Sequence, residues 1–102
     1  MQRLIEQPVA EGHVLEGGVP RGRVHYHLAV YQHFTGEDGE PVPPNLEVEG
    51  RVIALDHFDV ARFHRSGAEL TLCLADGRLL DFRIVNDEGA IRSTARGLYK
   101  AE

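Results

Sequence analysis

Leu70-Thr71-Leu72-Cys73-Leu74-Ala75-Asp76-Gly77-Arg78-Leu79-Leu80-Asp81-Phe82-Arg83-Ile84-Val85 decides the fold class of this chain. Leu70, Leu72 and Leu74 recur at every second position, and after the Asp76-Gly77 pair so do Leu80, Phe82 and Ile84. Successive side chains of a strand point to opposite faces, so each run offers one apolar face. Asp-Gly accepts the positive φ that tight hairpin turns demand. Residues 69–85 therefore read as a β-hairpin, and the domain as antiparallel β.

Upstream lies the longest β-rich run, Arg23 to Thr35. Val24, Tyr26, Leu28 and Val30 fall on one face, and His25, His27, Ala29, Tyr31 and His33 on the other. Before it, Gly17-Gly18 and Pro20-Arg21-Gly22 mark turns, and His13-Val14-Leu15 reads as a short strand. Residues 1–11 read as an extended, poorly ordered arm. Gly36 to Asn45 is expected to be a loop, acidic at its start and stiffened by Pro41, Pro43 and Pro44. Leu46 to Leu55 reads as a strand, and Gly50 within it signals a bulge or a close backbone approach.

Asp56 is positioned to cap a short helix over 56–65, with Val60 and Phe63 packing inward and Ser66-Gly67 ending it. Asn86-Asp87-Glu88-Gly89 is a turn, Ala90 to Ala95 a last strand anchored by Ile91, and 97–102 a frayed tail. Several short strands with turn punctuation predict a small, partly open antiparallel barrel or sandwich of about six strands with one helix. At 102 residues the chain is a single domain, 1–102.

Composition narrows the function classes. Sixteen acidic residues against eleven basic ones give a formal net charge of −5, which argues against sequence-independent nucleic-acid binding. No run approaches the roughly 18 apolar residues of a membrane-spanning helix, so no membrane partner is expected. Residues 1–8 carry no secretory-signal pattern, and Cys73 is alone, which together predict a cytoplasmic, disulfide-free protein.

Six histidines in so short a chain invite a metal reading. His25 and His27, two apart on one strand face, lie about 6.5–7 Å apart at Cα and can aim two imidazoles at one zinc or other divalent ion. His33, about 20 Å further along, cannot share it. The cupins also carry two histidines one residue apart, but Tyr31 and Gln32 stand where their acid is expected. Cys73 has no base assigned to it by any motif. Glu37-Asp38-Gly39-Glu40 and Asn86-Asp87-Glu88-Gly89 lack the ligand spacing of a calcium loop. Arg62 with Arg65, and Arg92 with Arg96, form two basic pairs that could hold a small anion or nucleotide, though not at the spacing of the PilZ nucleotide-binding barrels.

With no catalytic motif present, the leading expectation is a non-enzymatic binding or protein–protein association module. It would work without a cofactor, as a homodimer or with another protein joined through a strand edge, for which the strand 23–35 is the candidate. A metal protein using His25 and His27, and an anion-binding barrel using the four arginines, are the alternatives.

Overall fold

A computed structural model describes residues 2–34 and 41–100. Its elements are β1 (Gln2–Glu6), β2 (Val9–Glu16), β3 (Val19–Phe34), β4 (Pro41–Ala54), α1 (Val60–Ser66), β5 (Leu70–Cys73), β6 (Arg78–Ile84) and β7 (Ala90–Lys100). All pairings are antiparallel, in the order β1-β3-β2-β5-β6-β7-β4, and β4 returns to pair with β3. That last pairing closes a six-stranded ring, β2 to β7, with β1 as an extra strand. The barrel is therefore closed rather than partly open.

The period-two reading holds at the level of side chains. Leu70, Leu72, Leu80, Phe82 and Ile84 of the hairpin point inside and are 2% exposed or less. They meet Val24, Tyr26, Leu28 and Val30 of β3 and Val48 and Val52 of β4 in one core. At roughly 25 cal/mol per Å² of apolar area removed from water, this core is what holds the ring closed. Tyr26 is 2% exposed, and its hydroxyl accepts a hydrogen bond from the Ala75 amide at 3.0 Å in the β5–β6 turn. Gly77, at φ 93°, supplies the left-handed residue of that turn.

Several boundaries differ from expectation, each for a tertiary reason. The segment 1–11 is not an arm. It forms β1 and the start of β2, which lie end to end along one edge of β3. At 16 residues β3 is too long for the eight residues of β2 to cover alone. The expected strand 46–55 begins earlier, at Pro41, while 36–40 of the expected loop lies outside the described residues. The tail from 97 is paired: Leu98, Tyr99 and Lys100 face Leu80, Leu79 and Arg78.

The helix spans Val60–Ser66, shorter than 56–65, and its cap is Asp59, whose side chain accepts from the Arg62 amide at 3.1 Å. Asp56 is occupied elsewhere, accepting from the Phe58 amide at 3.0 Å and the Arg23 amide at 3.1 Å. Phe63 of the helix stacks on Phe58, ring centroids 5.1 Å apart, and both are buried.

The correction that matters most for function concerns β3. It is hydrogen-bonded on both sides, to β1 and β2 along one edge and to β4 along the other. From Val24 onward it is an interior strand of the sheet, so the expected edge over 23–35 is taken up within the barrel among the described residues.

Candidate functional site

Because the apolar face of β3 turns inward, His25 and His27 are forced onto the outer surface of the barrel. Their Nε2 atoms stand 3.0 Å apart, with the rings edge to face at 62°. Backbone ladders fix both residues from each side. His25 lies between Glu11 of β2 and Ile53 of β4, and His27 between Val9 and Arg51. Val9 and Ile53 are about half exposed, so the pair sits in a partly apolar surround. Arg51 turns from His27 toward Glu88, 3.9 Å away.

The same face carries a juxtaposition that sequence reasoning missed. His13 is register partner to Cys73 across the β2–β5 seam and to Arg23 across β2–β3. Only the β2–β5 pairing brings these residues together, and no local motif encodes it. Even so, no group of three or more His, Cys, Asp or Glu side chains poised for a metal occurs among the described residues.

The four arginines are not brought together. Arg62 lines a depression of about 220 Å³ with Pro20, Arg21, His57, Asp59 and Phe63. Arg65 is exposed in the last turn of α1. Arg92 borders a separate hollow beside Glu49, its register partner on β4. Arg96 lines a third, of about 260 Å³, between Leu46 and residues 93–97. In the turn 86–89, Asn86 accepts the amides of Glu88 and Ala90, and Asp87 meets His64 Nδ1 at 2.7 Å.

Near Arg96, β7 departs from regular pairing. Leu80 faces Leu98 and Phe82 faces Ser93, so residues 94–97 all lie against Asp81. Ala95 has φ 44° in this bulge. Asp81 fastens it, accepting from the Thr71 and Tyr99 hydroxyls at 3.0 and 2.9 Å and from the Arg96 amide at 3.4 Å. The Arg96 guanidinium lies 3.8 Å from the Tyr99 ring centroid. Partial burial and the bond to Asp81 push the Tyr99 hydroxyl pKa up.

β1 was also missed as a surface. It stands outside the closed ring, and among the described residues it pairs only with β3, leaving its other edge open. Leu4 and Ile5 on it are 44% and 45% exposed. Arg78 pins its end, gripping both carboxylate oxygens of Glu6 at 2.9 and 2.6 Å. No family model, curated protein or solved structure matches this chain. Among the described residues, no helix is long and apolar enough to cross a membrane.

Proposed function

We propose that this chain is a non-enzymatic association module that accepts a partner strand along β1, a second copy being the simplest partner. The observation that carries this reading is the place of β1: among the described residues it is the one strand outside the closed ring, hydrogen-bonded along one side only. An unpaired edge presents N–H and C=O groups that an incoming strand can satisfy, and flanking side chains supply the selectivity. Leu4 and Ile5 give that edge apolar contacts, while the Glu6–Arg78 clamp holds it against the barrel. Two identical antiparallel edges meet about a two-fold axis, which gives a closed dimer rather than a filament.

Native mass spectrometry of tag-free protein tests this. The wild type is expected to be dimeric at micromolar concentration. Leu4→Lys with Ile5→Lys is expected to give a monomer that keeps the wild-type circular dichroism spectrum, with a melting temperature that no longer depends on protein concentration. A monomeric wild type, or a dimer indifferent to both substitutions, refutes the reading.

A further inference from the structure

We propose that His25 and His27 together chelate one divalent late transition-metal ion, copper(II) above zinc, through both Nε2 atoms. Two nitrogens each 2.0–2.1 Å from a metal stand about 3.3 Å apart at a tetrahedral angle and about 2.9 Å apart at a right angle. The observed 3.0 Å lies near the right-angle value. Right-angle nitrogen pairs belong to tetragonal copper(II) and nickel(II), and copper(II) also heads the affinity order of the divalent series. The imidazoles need no rearrangement of the chain to bind, because β3 is laddered to β2 and β4 at both positions. With the backbone fixed at both positions, only the ring torsions of the two side chains remain to be ordered on binding.

Glu11 is register partner to His25, and residues directly opposite across strands have Cβ atoms about 4.5–5.5 Å apart. Its carboxylate is exposed, and a negative charge on the strand beside the pair favours a bound cation. Arg51 is the nearest opposing charge by register, and Glu88 draws it aside. The open coordination positions face solvent, where water or an oxygen or nitrogen ligand of a small molecule can complete the sphere. The site is independent of the β1 edge.

The test uses tag-free protein titrated with copper(II), followed by electron paramagnetic resonance and by amide NMR. Saturable 1:1 binding is expected, with superhyperfine structure from two nitrogens and line broadening centred on residues 25–27 and their partners on β2 and β4. His25→Ala and His27→Ala each abolish the two-nitrogen signature, and Glu11→Gln weakens binding about tenfold. Cys73→Ser and His13→Ala leave it unchanged, which separates this site from the other ligand pair on the same face. Binding that follows Cys73 or His13 instead overturns the proposal. So does the absence of saturable binding, which would leave the two rings as an imidazole–imidazole hydrogen bond only.

Discussion

Gly50→Ala puts the seam between β3 and β4 to a quantitative test. Gly50 lies opposite Leu28 of β3 and Ile91 of β7, so it sits between two neighbours. A methyl group on it would stand 2.1 Å from the His27 carbonyl oxygen and 2.9 Å from the Leu28 Cα. Ordinary contact between carbon atoms is about 3.5–4.0 Å, so the clash exceeds what a few tenths of an ångström can relieve. Both obstructing atoms are backbone, and no rotamer change can remove them.

Overpacking of a well-filled site typically costs about 1–3 kcal/mol, and a purely backbone clash belongs at the top of that range. Against it, alanine narrows the unfolded ensemble and returns about 0.4–1 kcal/mol. The net loss is about 2–3 kcal/mol. For a domain near this size each kcal/mol moves Tm by about 4–8 °C, so a drop of roughly 10–20 °C is expected. Gly17→Ala is the informative comparison. A methyl there meets nothing within 4 Å, but the residue sits at φ 57° in the β2–β3 turn. It should lose only about 1–2 kcal/mol, from left-handed strain. Thermal melts by circular dichroism and urea titration measure both variants. A Gly50→Ala protein melting within about 3 °C of wild type, or above Gly17→Ala, would refute the account of this seam.

Three further outcomes follow from single contacts. Hydrogen bonds from Arg78 hold the Glu6 and Asp76 carboxyls below their ordinary pKa values. Because the folded values are the lower ones, this stabilisation is complete above the ordinary carboxylate range and fades as pH falls through the folded values. All three side chains are partly exposed, so the effect is about 1 kcal/mol or less. Hydrogen exchange should show β1 amides opening earlier than the core in acid, and earlier at pH 7 in Arg78→Ala. Tyr26→Phe removes the acceptor for the Ala75 amide and is expected to cost about 1 kcal/mol by urea denaturation at unchanged m-value. Asp59→Ala removes the helix cap and should also cost about 1 kcal/mol, read from the same titration.

What was legible in the sequence was whatever depends on strand periodicity. The inward face of β3, the hairpin over 70–84 and the outward placement of His25 and His27 all follow from alternation at period two. Gly50 was legible in part, as a bulge or a close approach, and the His27 carbonyl packed against it makes it the close approach. Pairing partners were not legible. Nothing local to Cys73 points to His13, and nothing local to the first residues marks Arg3-Leu4-Ile5-Glu6 as a strand, since its two apolar residues are adjacent rather than alternating. The β7 bulge was hidden for a related reason. Ala95 carries a positive φ without being glycine, next to the Arg96 amide that donates to Asp81 on another strand. The helix start was a contest between two aspartates, decided by the Arg23 amide thirty-three residues away from Asp56.

Ring closure links these observations to function. In an open sheet β3 would be free to recruit a partner, and its histidines would move with that partner. Closed by β4, β3 becomes a platform: its backbone is paired on both sides through the histidine positions, and its outward side chains remain available for chemistry there. In the proposed reading association falls instead to β1, which meets β3 at residues 30–33, past the histidine pair on the same strand. At about 3.3 Å per residue, three residues from His27 to Val30 separate the two surfaces by about 10 Å. Sites so placed, joined by a strand that cannot shift register without turning its apolar face outward, should act additively. Leu4→Lys with Ile5→Lys should therefore leave copper stoichiometry at one per chain, and His27→Ala should leave the mass of the assembly unchanged. A change in either cross-measurement would mean that the partner strand reaches the histidine face and that the two surfaces are one.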